Sequence, residues 1–338
     1  MAKIPIFEKK NVIVTGGAGF IGSYLCEALL KEAKVICMDN LQGGSLNNID
    51  HLLRHPDFEF IKHDVTEPLE FEKFPELKKF KVQFQGVQEI YQLASPTAPK
   101  EFEKNKIAIL RTNSDGTATM LDLAAKWHAK VLLASSSVIY GPRQPHEQFV
   151  SEEHEGSFDH LSVRACYDEG KRFAETMMMT YKQVYGIEVR IARVFRTYGP
   201  RVRLGIGEMI PDFIVQALEG KPLVVYGGND FRTSLCYVTD MVDGLLRLMH
   251  AEHDPGPVNL GSDQEYDIDE VAQKIIDMTH SPSKIIFEAP LLFMRPQPIP
   301  HIARARQELG WFPVMRLEDG LKQMIEYTQA RKYRLGAK

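Results

Sequence analysis

Up to residue 195 the sequence alternates short apolar runs with helical apolar patterns, and that alternation leaves few ways to fold. Asn11-Val12-Ile13-Val14-Thr15 reads as a buried strand. Ile21, Leu25 and Leu29, with Cys26 and Leu30 beside them, then recur at helical spacing. Residues 34–38, 58–61, 88–93, 130–134 and 188–192 read as five further strands, with helical stretches near 114–128 and 167–185. Strands separated by helices rather than tight turns run parallel, so the spacing predicts an α/β fold built on a doubly wound parallel sheet. After residue 195 the regularity loosens: Gly199-Pro200, Gly220-Lys221-Pro222 and Gly227-Gly228 punctuate the chain, and prolines crowd residues 290–300. A smaller lobe over the carboxyl edge of the sheet, where open α/β folds hold ligands, accounts for that change.

Gly16-Gly17-Ala18-Gly19-Phe20-Ile21-Gly22 joins the first strand to the first helix. Glycines there permit a tight turn, close approach of backbone to a pyrophosphate and close packing of helix on strand, with the helix N-terminus facing the phosphates. Asp39 ends the second strand, where a carboxylate can accept both ribose hydroxyls of an adenosine and would repel a 2′-phosphate. No arginine follows it in Asn40-Leu41-Gln42, so the expected cofactor is NAD rather than NADP. Asp64-Val65 ends the third strand within reach of the adenine. We therefore expect a Rossmann NAD-binding domain over residues 1–194. Residues 195–338 should form mainly a substrate-binding lobe of α/β type, with some segments returning to the first domain.

Tyr167 and Lys171 stand four apart in a helical stretch and so project from one face. A free tyrosine ionises at about pH 10, and an adjacent ammonium would pull that value toward neutrality. The pair is a candidate base for taking a proton off an alcohol. Ala134-Ser135-Ser136-Ser137 ends the fifth strand at the same edge, where a serine hydroxyl can hydrogen-bond the oxygen that Tyr167 deprotonates.

A chain of 338 residues has room for these two units, and its net charge of -4 gives no reason to expect nucleic acid or an anionic membrane as partner. No run approaches the roughly 18 apolar residues of a membrane span, and Met1 to Pro5 shows no apolar signal segment. Cys26, Cys37, Cys166 and Cys236 are scattered and the histidines form no ligand cluster, so we expect no metal and a cytoplasmic setting. Residues 69–87 interleave aromatics with lysines; mixed acids favour a half-buried hairpin or helix over a nucleic-acid surface.

Taken in order, Thr15 to Gly22, Ser136, Tyr167-x-x-x-Lys171 and Tyr198-Gly199-Pro200 resemble the extended short-chain dehydrogenase/reductase family over essentially the whole chain. Arg164 to Arg172 and Tyr91-Gln92-Leu93-Ala94-Ser95-Pro96 are most similar to its UDP-glucuronate decarboxylases, as are His63-Asp64-Val65, Asn259-Leu260-Gly261 and Leu309-Gly310-Trp311. The resemblance implies that Ser136, Tyr167 and Lys171 are catalytic, with Lys171 also holding the nicotinamide ribose. Cofactor contacts are expected at Gly16, Gly19, Phe20, Ile21, Gly22, Asp39, Asn40, Asp64, Val65, Leu93, Ala94, Ser95, Tyr167 and Lys171. The resemblance also implies a homodimer packed through helices near residues 101–127 and 167–183.

The substrate side departs from the family pattern. Decarboxylases resembling this chain carry a glutamate two residues after the triad serine or threonine, and 4,6-dehydratases an Asp-Glu pair; here stand Ser137-Val138. Valine cannot move a proton. Arg196 replaces a family asparagine, Thr233 stands at an arginine position with Arg232 adjacent, and Pro298 stands at another with Arg295 three residues earlier. We place Pro96, Ser137, Val138, Arg196, Arg201, Tyr226, Arg232 and Arg295 on the substrate side. Guanidinium forks among Arg196, Arg201, Arg203 and Arg232 suit a diphosphate. Because family 4-epimerases need no carboxylate at residue 138, the leading expectation is an NAD-dependent nucleotide-sugar 4-epimerase, its substrate UDP-linked. The alternatives are a UDP-glucuronate decarboxylase of the UDP-xylose-forming type and a catalytically silent NAD-binding protein.

Overall fold

The structure is a computed structural model that describes residues 9–144, 149–227, 231–291 and 295–336. The readings of residues 1–5, of Gly228 and of part of the proline-rich stretch lie outside those bounds. The first half runs β1 (Lys10–Thr15), α1 (Phe20–Leu29), β2 (Ala33–Asp39), β3 (Phe58–Lys62), α2 (Val82–Gln85), β4 (Glu89–Gln92), α3 (Phe102–Asn113), α4 (Asp115–Trp127), β5 (Lys130–Ser136), β6 (Phe149–Val150), α5 (Ala165–Tyr185) and β7 (Val189–Val194). Then follow β8 (Thr197–Tyr198), α6 (Met209–Leu218), β9 (Leu223–Tyr226), β10 (Arg232–Ser234), β11 (Cys236–Tyr237), α7 (Val238–Met249), β12 (Pro257–Leu260), β13 (Glu265–Asp267), α8 (Ile268–Thr279), β14 (Ile285–Glu288), β15 (Ile299–Pro300), α9 (Ala303–Leu309) and α10 (Leu317–Gly336).

Seven strands form one parallel sheet in the order β12-β7-β5-β4-β1-β2-β3. All six predicted runs are among them. The interior strands are apolar along their length because helices cover both faces. α1 and α7 pack together on one side, where Leu25, Leu29, Leu245 and Leu248 are buried with Val12 and Val14. α4 and α5 cover the other, with Met120, Leu121, Ala174 and Met178 against Ile13, Ile90 and Val131. The strand order reverses between β1 and β4, so a crevice opens where their carboxyl ends diverge.

The seventh strand, β12, comes from beyond residue 195 and pairs with β7. Elsewhere in that half, α6, α8 and α10 enclose a separate core around Phe213, Ile214, Ile275 and Leu321, with β9 and β14 at its edge. Residues 69–87 form short helical turns, not a hairpin. Phe71, Leu77, Phe80 and Val82 are buried there, and the Phe71 ring meets the Trp127 ring edge-on at 5.0 Å, so Phe71 and Phe80 are core while Phe84 is exposed. Among the described residues no helix is long and apolar enough to cross a membrane.

Candidate active site

A cavity of about 460 Å³ opens at the carboxyl edge of the sheet. Parallel strands put Thr15, Asp39, Gln92 and Ser136 at that same edge, which is why residues far apart in sequence meet there.

At one end lies the glycine turn. Gly16 has φ of +66°, a left-handed conformation that favours glycine, and its carbonyl accepts from the Gly19 N–H at 3.0 Å. Gly19 precedes α1 with an extended backbone and no capping side chain, so the first-turn N–H groups are left for an anion. A Cβ on Gly22 would lie 2.2 Å from the Gly16 carbonyl oxygen, so only glycine allows α1 to start this close to β1. Across the crevice the Leu93 and Ala94 N–H groups donate to Thr15 Oγ1, both at 3.1 Å, fixing the β1 and β4 ends together. Asp39 is buried and accepts from the Ala18 N–H at 3.1 Å and the Leu41 N–H at 2.7 Å; burial raises its carboxyl above the usual range, and those two bonds oppose the rise. Asn40 donates to Asp64 at 2.8 Å, and this bond with two from Thr66 holds the Asp64 carboxyl below its usual value despite burial.

These residues fit NAD. The turn admits backbone where a Cβ would intrude, a helix start presents uncapped donors, and Asp39 stands where an adenosine ribose needs an acceptor. When bound, NAD would supply a hydride acceptor and a positively charged ring.

At the other end, α5 carries Tyr167 and Lys171 into the cavity beside Ser136 at the end of β5. Gly170 lets α5 approach α3, since a Cβ there would meet the Asn113 side chain at 3.3 Å. The Tyr167 ring meets Phe102 edge-on at 6.5 Å and lies 5.8 Å from the Arg164 guanidinium. Ser136 Oγ accepts from the Val138 N–H at 3.4 Å and is hydrogen-bonded to the Tyr167 hydroxyl.

The charge relation between Tyr167 and Lys171 differs from the expected one. Lys171 is buried and its ammonium donates to the Ala134 carbonyl at 2.8 Å; burial lowers its pKa to about 8, opposed by Glu175. Burial also raises the Tyr167 phenol above 10, while the Ser136 hydrogen bond and Arg164 pull it down. Lys171 is thus a positioned, desolvated ammonium rather than the group that acidifies the phenol. A positive ring brought beside Tyr167 would favour its phenolate, because a nearby cation stabilises that charge.

Pro96, Ser137, Val138, Arg196, Arg201 and Arg295 line the cavity; Tyr226 and Arg232 are not in its lining. Arg232 instead pairs with Asp267 at 2.7 Å and Glu265 at 3.7 Å across the antiparallel β10–β13 pair. Val138 is 2 % exposed, and its carbonyl accepts from Arg295 at 3.1 Å. Arg295 also pairs with buried Asp168 at 2.9 Å, and Arg164 reaches the same carboxylate at 3.4 Å. Beside β5, Arg193 holds Glu175 through two hydrogen bonds, at 3.2 and 2.9 Å, and Glu175 accepts from Ser135 at 2.5 Å. Arg164, Asp168, Glu175 and Glu208 escaped the sequence reading; Arg164 and Asp168 flank Tyr167 inside a quoted motif, whereas Glu208 carries no motif signal at all.

Comparison with known proteins agrees with this geometry. Residues 12–261 match the model of the NAD dependent epimerase/dehydratase family. The chain belongs to that family. It is 41% identical over 321 residues to UDP-glucuronic acid decarboxylase 1 of Xenopus tropicalis, covering 95% of this chain and 72% of the relative. UDP-glucuronic acid decarboxylase 5 of Arabidopsis thaliana is 41% identical over 323 residues, 95% of this chain and 90% of its own length. Among solved structures, UDP-glucuronic acid 4-epimerase of Bacillus cereus in complex with UDP-glucuronic acid and NAD superposes with a TM-score of 0.80 at 25% identity, over 95% of this chain and 99% of that one. The chain is therefore an extended short-chain dehydrogenase/reductase, an NAD-dependent enzyme of nucleotide-sugar epimerase/decarboxylase chemistry.

Proposed function

We propose that the chain oxidises a UDP-linked uronate at C4 and releases its carboxylate as carbon dioxide, the UDP-glucuronic acid decarboxylase reaction. One observation carries this reading over the epimerase expected from sequence: similarity at 41% identity to decarboxylases of that name spans 95% of the chain. Tyr167 takes the C4 hydroxyl proton, helped by Ser136, and Lys171 holds the ribose beside it. Oxidation at C4 makes a keto group beta to the carboxylate. Such an acid loses carbon dioxide readily, so the absence of a carboxylate at Val138 is compatible with turnover. The side chains of Arg196 and Arg201 take the diphosphate, and Arg295 faces the sugar. Residues 195–338 act mainly as the substrate lobe.

Val138 itself favours a second reading, a 4-epimerase in which the keto sugar turns over in the pocket and takes hydride back on its other face. Purified protein with NAD and UDP-glucuronate, alongside UDP-, GDP-, CDP- and dTDP-sugars, separates the two. The decarboxylase gives UDP-xylose and carbon dioxide; a C4 epimer that keeps its carboxylate establishes the epimerase.

We also infer a homodimer. Ile107 and Leu110 on α3 and Phe173, Met179 and Val184 on α5 are exposed apolar side chains on two helices that pack side by side. Sedimentation of the purified protein tests it. The cytoplasm remains the proposed setting, with Cys26, Cys37, Cys166 and Cys236 as free thiols.

A further inference from the structure

Four arginines that line the cavity already have a carboxylate in contact. Arg164 and Arg295 meet Asp168 at 3.4 and 2.9 Å, Arg201 meets Glu27 at 2.6 Å, and Arg203 meets Glu101 at 2.7 Å. Arg196 has no such contact among the described residues; its guanidinium lies 5.9 Å from the Phe231 ring and is otherwise open to the cavity. A desolvated guanidinium without a contact partner is the natural receptor for an anion.

The carboxylate whose charge acts on Arg196 across this cavity is Glu208. It stands just before α6, lines the same cavity as Tyr167 and Arg196, and among the described residues no hydrogen bond or ion pair holds its carboxylate. Other charged groups face it. Arg196 comes from the segment after β7, where the Arg164 charge also acts on it; Tyr167 comes from α5, and Asp212 from α6. Asp212 is tied to the Gly205 N–H at 3.1 Å and to Lys100 at 3.4 Å, so it leaves Arg196 to Glu208. Burial raises the Glu208 carboxyl above its usual range and Asp212 adds to that, while Arg196 opposes it. The positive end of α6 acts in the same direction as Arg196.

We propose that Glu208 is an anion-competing specificity residue: it serves as the internal counter-ion of Arg196, and a substrate diphosphate replaces it there as Glu208 takes up a proton from solvent. This rests on the assignment of Arg196 to the diphosphate. The sign follows from like charges. A diphosphate at Arg196 removes the charge that kept Glu208 ionised and adds a repelling one, so the carboxyl pKa rises further on binding. Affinity then grows as pH falls through the range between the free and bound values, with proton uptake largest inside that range.

The test uses UDP-4-deoxy-4-fluoroglucose, which has no C4 hydroxyl to oxidise and no acid that titrates near neutrality. It is titrated into the NAD-loaded enzyme by calorimetry in buffers of different ionisation enthalpy. Wild type takes up protons on binding. Glu208→Gln takes up none and binds about tenfold tighter at pH 8, one pKa unit of coupling, and the advantage disappears in acid. Glu208→Ala, a second neutral variant, moves the same way. Unchanged or weaker binding by both variants, or proton uptake that persists in them, overturns the proposal. If the GDP-linked analogue binds and the UDP-linked one does not, with the Glu208 effect intact, the proposal stands and the UDP assignment falls.

Discussion

Replacing Gly22 by alanine tests the cofactor turn on a scale that the structure sets. The added Cβ would lie 2.2 Å from the Gly16 carbonyl oxygen and 2.9 Å from both the Gly16 carbonyl carbon and Gly17 Cα. Ordinary contact needs roughly 3.4 Å or more, so the Gly16 end of the turn must move by about 1 Å, and overpacking of that kind costs about 1–3 kcal/mol. Alanine's better helix propensity returns at most about 1 kcal/mol. The displaced carbonyl belongs to the turn that faces the pyrophosphate, so most of the loss falls on cofactor binding. The upper end of that net cost is about 2 kcal/mol, so at 1.4 kcal/mol per factor of ten NAD affinity drops by up to about thirtyfold. Gly43→Ala is the control, because a Cβ there meets nothing within 4 Å. Calorimetric titration of NAD into both variants is the assay. Wild-type affinity in Gly22→Ala, or equal losses in both variants, would refute the reasoning.

Three further substitutions address the chemistry. Tyr167→Phe removes the hydroxyl bonded to Ser136 and lowers turnover about a thousandfold while NAD affinity changes less than about threefold; equal losses in both would make Tyr167 structural. Lys171→Met removes a buried ammonium whose pKa is lowered to about 8 from 10.5. A lysine with a depressed folded pKa costs stability below that value, and the cost is relieved as pH rises toward the unfolded one, so the variant gains up to about 3 kcal/mol at pH 7 and little near pH 10. Denaturant unfolding at both pH values reads this, and a gain that does not depend on pH contradicts it. Val138→Glu puts a carboxylate beside the sugar and raises the decarboxylation rate about tenfold at some cost in stability. Decarboxylation that appears only in this variant would assign the wild type to epimerisation.

The interior of the sheet was legible because buried parallel strands must be apolar along their length, as residues 11–15 and 130–134 are. β12 was not: it begins at Pro257 and buries Asn259 beside Val258 and Leu260, so neither alternation nor a long apolar run marks it. Its pairing with β7 is a tertiary choice. Asn259 is satisfied only in three dimensions, where its amide accepts from Tyr140 at 2.6 Å and donates to the Val150 carbonyl at 3.0 Å. Spacing correctly set Tyr167 and Lys171 on one face of α5, but the direction of each pKa depends on burial, which spacing does not report. Glu208 was invisible for a related reason. Its role depends on Arg196 lacking a contact carboxylate, and no local pattern encodes that.

The central claim is that chemistry begins with oxidation at C4, in which Tyr167, helped by Ser136, takes the hydroxyl proton while NAD would accept the C4 hydride and later return it to the same carbon. UDP-glucuronate deuterated at C4 and labelled with carbon-13 in its carboxylate tests this in one reaction. The account predicts labelled carbon dioxide and UDP-xylose that retains deuterium at C4. Loss of deuterium to water, or its transfer to another carbon, would contradict it.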